Sequence, residues 1–138
     1  NALNQDKNDS VSQPFSKKLK ILIAEDDAPS GMLLRNQLKD IAGEIISARN
    51  GADAVSMFLS NPDTDLILMD IKMPEMDGYE ATKKIREVSS NVVIIAETAY
   101  AMTNDREKAL SVGCNDYISK PINREKLLEL VKKHFELD

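Results

Sequence analysis

Residues 65–78 read DLILMDIKMPEMDG. Leu66, Ile67, Leu68 and Met69 make a short apolar run with an aspartate at each end. An unbroken run of this length, without polar alternation, marks a strand covered on both faces. The strand is expected over Asp65–Met69, with Asp70 just past its carboxyl end. The chain then turns through Pro74, and a helical pattern opens at Gly78 and runs to Val88, with Ala81, Ile85 and Val88 inward.

The same alternation repeats on either side. Upstream, Leu19–Ala24 (LKILIA) is a second apolar strand. It leads into a helix with Pro29 in its first turn, Leu34, Leu38 and Ile41 at helical spacing, and Gly43 as its stop. Glu44–Ala48 reads as a strand and Asn50–Ser60 as a helix with Val55, Phe58 and Leu59 on one face. Downstream come a strand at Val92–Ala96, a helix at Thr103–Val112 stopped by Gly113, and a strand at Asp116–Ser119. The last helix, Asn123–Phe135, turns Leu127, Leu130 and Val131 inward and carries Lys132 and Lys133 at its negative end. This is a (βα)5 chain. Strands this apolar need helices on both faces, and right-handed crossovers then give a doubly wound α/β sheet of five parallel strands.

Composition narrows the function. The 138 residues suit one domain. Lys and Arg number 18 against 23 Asp and Glu, a net charge of −5 that argues against a nucleic-acid surface. The single cysteine, Cys114, excludes an internal disulfide. No apolar run approaches the ~20 residues of a membrane span. Residues 1–18 are polar and aperiodic, and are expected to be a tag remnant (Asn1 and Ala2) and a flexible linker ahead of a domain at 19–138, itself a piece of a longer protein.

In a doubly wound sheet, ligands bind beyond the carboxyl ends of the strands. Glu25, Asp26 and Asp27 follow strand 1, Asp70 follows strand 3, Thr98 follows strand 4 and Lys120 follows strand 5. Asp27 alone reads as a helix N-cap. The others together are better explained by chemistry. An oxygen-only acidic cluster favours a hard ion, and Mg2+ fits best because it uses few carboxylates and accepts phosphate oxygens. Asp70 is placed to act as a nucleophile that forms an acyl phosphate, Lys120 to supply fixed positive charge, and Thr98 to donate a hydrogen bond. Met69, Met73, Met76 and Cys114 read as packing, and His134 as a charge at a helix C-terminus.

The runs ILIAEDD (21–27), LILMDIKMPEMDGYEA (66–81) and DYISKPI (116–122) together resemble the response-regulator receiver family, over about residues 19–137. The resemblance implies a flavodoxin-like fold with strand order 2-1-3-4-5 and a phosphoacceptor signalling module. It makes Asp70 the acceptor of a phosphoryl group from a phosphohistidine. Asp26 would meet Mg2+ directly, Glu25 through water, and the backbone carbonyl of Lys72 would complete the protein ligands. Thr98 matches the switch hydroxyl, with Ala99 after it, and Tyr117 matches the switch aromatic. Lys120 matches the phosphate-binding lysine, with a cis bond to Pro121, and Pro74 and Gly78 would shape the loop beyond the acceptor. Position suggests that Lys72 and Tyr100 modulate the access of water. Phosphorylation would repack the face made by helix 4, strand 5 and helix 5.

Among receivers the chain is most similar to those of hybrid sensor histidine kinases. That implies a cytoplasmic domain of a histidine kinase whose partners are the kinase domain and a histidine phosphotransfer domain. No direct nucleic-acid or membrane contact is expected, and the family leaves room for a homodimer. A stand-alone response regulator, or a degenerate receiver that only binds, is the alternative, but a degenerate receiver would lack residues present here. A dehalogenase-like phosphatase would want an aspartate where Lys72 stands, and a flavodoxin-type carrier would not have EDDAP (25–29) after strand 1. One departure stands out. Glu97 precedes Thr98 where the family usually has an apolar residue. Strand alternation turns it away from the Thr98 side chain, where it would add negative potential or pair with a lysine.

Overall fold

The apolar stretch around Leu68 becomes β3 (Leu66–Asp70), every residue of it buried, at the centre of a parallel sheet. The structure is a computed structural model and describes residues 18–99 and 103–135. Around β3 the chain alternates β1 (Leu19–Ala24), α1 (Ala28–Leu38), β2 (Ala42–Ala48), α2 (Gly51–Ser60), α3 (Gly78–Arg86), β4 (Val93–Thr98), α4 (Thr103–Val112), β5 (Asp116–Ser119) and α5 (Arg124–Phe135). The strand order is β2-β1-β3-β4-β5, all pairs parallel, as the (βα)5 reading requires.

Side-chain alternation divides the interior in two. Ile21 and Ile23, Leu66 and Leu68, Ile95 and Ile118 face α1 and α5, where Leu34, Leu38, Leu127 and Val131 meet them. Leu22, Ala24, Ile67, Met69, Ile94 and Ala96 face the other way, against Phe58, Ala81, Ile85 and Ala109. These two sets decide which residues at the strand ends share a face.

Several boundaries differ from expectation, each for a local reason. α1 stops at Leu38, whose carbonyl accepts the Ile41 N–H at 3.0 Å, and Gly43 lies inside β2 instead of ending the helix. The register shifts between Leu19 and Lys20, which pair with Ala42 and Glu44, so Gly43 is the extra residue of a bulge. Asn50 and Asn123 are caps, not helical residues: their side-chain oxygens accept N–H groups of Asp53 (2.7 Å) and Lys126 (2.9 Å). Leu59 is exposed because Gly51, Ala54 and Phe58 form the inner line of α2. Val88 is exposed because α3 ends at Arg86, whose guanidinium is tied to the Gly113 carbonyl (2.8 Å) and to Asn115 (2.8 Å). Gly113 closes α4 as expected, with φ at +116°. β3 and β4 both run further than expected, through Asp70 and Thr98 respectively, and this extension builds the site.

Candidate functional site

Because β3 includes Asp70 and β4 includes Glu97, the two residues pair in register on adjacent strands. Both continue the face that holds Leu68 and Ile95, the face toward α1 and α5. Glu25 stands one residue past β1, beside them. The row Glu25, Asp70, Glu97 is buried. Lys120, just past β5, closes it: its ammonium lies 3.3 Å from Glu25 Oε1 and 3.4 Å from Asp70 Oδ2. The Lys120–Pro121 peptide is cis, as the resemblance implied. The Lys72 N–H donates to Asp70 Oδ1 at 3.3 Å, and the Asp27 N–H to Glu25 Oε2 at 3.2 Å.

This crowding governs the charges. Burial first, and then the Glu25 carboxylate, push the Asp70 carboxyl up to about 7, against the pull of Lys120. Burial works against the Lys120 charge as well, yet the carboxylates of Asp70, Glu25 and Glu97 outweigh it and hold the ammonium above its ordinary value. Glu97 is driven well above the usual carboxylate range, by complete burial and then by Glu25 and Asp70. Neither of its oxygens meets a hydrogen-bond donor. Of the two roles expected for Glu97, pairing is seen with no lysine among the described residues, and negative potential beside the acceptor would need the carboxyl to ionise, which its burial opposes.

Glu25, Asp26 and Asp70 each bring one oxygen into a group whose members lie within 4.8 Å of one another. Four carboxyls face a single ammonium here, and the donors are all oxygen. That set suits a hard divalent cation, so Mg2+ fits the residues present. Asp27 keeps to its cap role: its Oδ2 accepts from the Ser30 N–H (3.0 Å) and hydroxyl (2.6 Å), which hold its carboxyl below the usual range.

Thr98 and Tyr117 lie on the opposite face, following Ala96 by strand parity and by the Ala96–Tyr117 register. Thr98 is buried and lines a cavity of about 710 Å3 at the mouth of the site. Asp26, Lys72 and Ala99 share that cavity, together with Asp77, Tyr79 and Asp105, which the sequence reading did not single out. Asp77 carries a local signal, since an acidic residue before a helix is a cap, and its Oδ1 accepts the Glu80 N–H at 2.9 Å. Tyr79 and Asp105 carry none, because only the packing of α3 against α4 brings them to the mouth. Tyr117 is half-buried, with the Arg106 guanidinium 5.9 Å from its ring centre. Tyr100 lies outside the described residues. His134, expected to serve as a helix-end charge, also bonds Asp116 Oδ2 at 3.0 Å.

Residues 21–132 match the response regulator receiver domain family. The chain belongs to that family. Hybrid signal transduction histidine kinase B of Dictyostelium discoideum is 41% identical over 129 residues, covering 83% of this chain and 6% of that protein. Sensor protein GacS of Pseudomonas syringae pv. syringae is 35% identical over 129 residues, covering 89% of this chain and 14% of its own. The chain thus spans a small part of the length of these relatives. Among solved structures, the CheX-CheY-BeF3-Mg+2 complex from Borrelia burgdorferi contains a chain that superposes with a TM-score of 0.82 at 26% identity, covering 96% of this receiver and 94% of that chain. A second match is to the co-crystal of the Saccharomyces cerevisiae phosphotransfer protein Ypd1 with the receiver domain of Ssk1, with a TM-score of 0.79 at 31% identity over 86% and 90% of the two chains. The receiver is a phosphoacceptor domain, and its Glu/Asp cluster resembles the BeF3- and Mg2+-bearing site named for the CheY complex. Among its described residues no helix is long and apolar enough to cross a membrane.

Proposed function

We propose that Asp70 is the phosphoacceptor of this receiver and that the phosphoryl group comes from a phosphohistidine. The observation that carries the assignment is its place: Asp70 ends the central strand, meets Lys120 at 3.4 Å, and shares a 4.8 Å cluster with Glu25 and Asp26. An Asp70 oxygen attacks phosphorus and an O–P bond forms as the N–P bond breaks; the histidine nitrogen leaves with the electron pair, and because the other ring nitrogen carries a proton the donor is left as neutral imidazole. Asp70 must be ionised to attack, and Lys120 favours that state against the burial that opposes it. Asp26, Asp70 and the Lys72 carbonyl, with Glu25 through water, would hold Mg2+, which would supply positive charge to offset repulsion between donor and acceptor. Lys120 holds a phosphoryl oxygen by charge, and the Thr98 hydroxyl donates to another. Lys72 and Tyr100 modulate the access of water to the phosphoryl group.

On this reading the phosphoryl group draws Thr98 inward and Tyr117 follows, repacking the face of α4, β5 and α5. The shift is as large as the difference in the phosphoryl group's contacts with the two states. The domain, residues 19–138 behind a linker, works in the cytoplasm as part of a hybrid kinase and exchanges phosphoryl with a kinase or histidine phosphotransfer domain. The kinship with hybrid kinases supports this, as does the Ypd1 complex of a structural relative. So does Leu33 on α1, which is 52% exposed and lines a cavity with Glu97 and Lys120, where it offers apolar surface to a partner.

Intact mass after incubation with acetyl phosphate tests the assignment. A gain of one phosphoryl group that requires Mg2+ and disappears in Asp70→Asn is the expected result. A wild type that gains nothing, or an Asp70→Asn variant that gains as much, overturns it.

A further inference from the structure

α4 is the helix least anchored by burial. Among its described side chains only Ala109 is fully buried, while Leu110 is 41% exposed. α3 buries Gly78, Ala81, Thr82 and Ile85, and α5 buries Leu127 and Val131. Two cation–aromatic contacts reach out from α4 to its neighbours instead. Lys108 Nζ stands 4.5 Å from the ring centre of Tyr79 on α3, and the Arg106 guanidinium stands 5.9 Å from that of Tyr117 on β5. The two clasps differ in consequence. Tyr79 belongs to the wall of the mouth. Tyr117 lies on the Thr98 face of the sheet, packed in part against the cluster that includes Ala96 and Ala109.

We propose that Arg106 is a positioning residue for the switch: its guanidinium, set over the Tyr117 ring, holds that ring in the place seen here and so weights the domain toward this conformation. The inference rests on Tyr117 being the aromatic that moves with Thr98. A cation over an aromatic ring contributes only while the ring stays beneath it, so the contact favours one position of Tyr117 over any other. Its usual strength at an exposed site corresponds to about a two- to fivefold shift in population. The clasp also joins the ring to α4 directly. A displaced Tyr117 releases Arg106, and a helix that buries one side chain fully among those described has little else to hold it in register. Lys108 clasps a ring outside the switch and carries no such weight.

The test uses the whole chain labelled with 3-fluorotyrosine, whose Tyr117 fluorine resonance is assigned by Tyr117→Phe. In the wild type that resonance moves on adding Mg2+ with beryllofluoride, a phosphoryl mimic. In Arg106→Ala, without the mimic, it lies shifted toward the phosphorylated position, and acetyl phosphate labels the protein about two- to fivefold faster. Arg106→Lys, which keeps a cation, stays near wild type, and so does Lys108→Ala. An Arg106→Ala variant matching wild type in resonance and rate overturns the proposal. So does a Lys108→Ala variant that shows the same change, because general loosening of α4 then accounts for the effect. A wild-type Tyr117 resonance that ignores the mimic refutes the switch role itself, and the proposal with it.

Discussion

Replacing Glu97 with glutamine should stabilise the metal-free domain, and by an amount that grows with pH. The side chain is completely buried, beside Glu25 and Asp70, with no donor to either oxygen. Its carboxyl therefore keeps its proton in the folded state well above the ordinary value of 4.5. Below about pH 4.5 both folded and unfolded chains hold that proton and the residue adds no pH dependence. Above it the unfolded chain releases the proton and the folded chain does not, so wild-type stability falls by at most about 1.4 kcal/mol per pH unit until the folded carboxyl ionises. Glutamine has the same shape and no proton to lose. Between pH 5 and pH 7 the stability gap between Glu97→Gln and wild type should widen by about 1–2.5 kcal/mol, a widening of roughly 4–10 °C in the thermal midpoint for a domain of this size. Asp70 titrates in both proteins, so its contribution largely cancels in the difference. Thermal unfolding in a chelating buffer at pH 5, 6 and 7 measures the gap. A gap that stays constant, or a glutamine variant less stable at pH 7, would refute the reasoning and show that the folded protein ionises Glu97 without penalty.

Lys120→Ala removes the single ammonium that meets both Glu25 and Asp70. Its labelling rate with acetyl phosphate should fall by about 10²–10³, as for the loss of one fixed stabilising group, and a fall of less than tenfold would limit Lys120 to a structural role. Gly51→Ala places a Cβ 2.1 Å from the Met76 carbonyl oxygen, which the Gly51 N–H now meets at 3.1 Å. Urea unfolding should show a loss of about 1–3 kcal/mol, and an unchanged midpoint would mean that the loop between β3 and α3 yields freely.

Much of the fold could be read from period and punctuation. The apolar runs at Leu19–Ala24 and around Leu66–Met69, and the glycine after Val112, carry local signals strong enough to survive any tertiary context. The misplacements fall where local signals compete. Gly43 has the look of a helix stop, but the pairing of Leu19 with Ala42 and Lys20 with Glu44 makes it a bulge. Leu59 follows Val55 and Phe58 at helical spacing, but Val55 and Phe58 pack against the core cluster while Leu59 is left exposed, and only the sheet beneath decides where the inward line ends. Arg106 and Tyr79 had no readable role, because each acts across a helix–strand or helix–helix contact that no spacing encodes.

The site divides along the same line. Glu25, Asp26, Asp70, Thr98 and Lys120 were legible because a doubly wound sheet gathers its strand ends at one edge, whatever the loops do. Glu97 was legible only by half. Alternation within β4 turns it away from Thr98, but alternation within one strand cannot say what stands opposite. The answer came from two extensions, β3 through Asp70 and β4 through Thr98, which put Asp70 and Glu97 in register on the α1 and α5 face. Three buried carboxyls in a row with one lysine form an arrangement that a hydrophobic fold tolerates only with protons or cations to offset the charge. Burial and then Glu25 lift Asp70 to about 7, and a site so crowded with carboxyls is receptive to a divalent ion; Glu97 adds a third buried carboxyl whose own ionisation burial and its neighbours oppose.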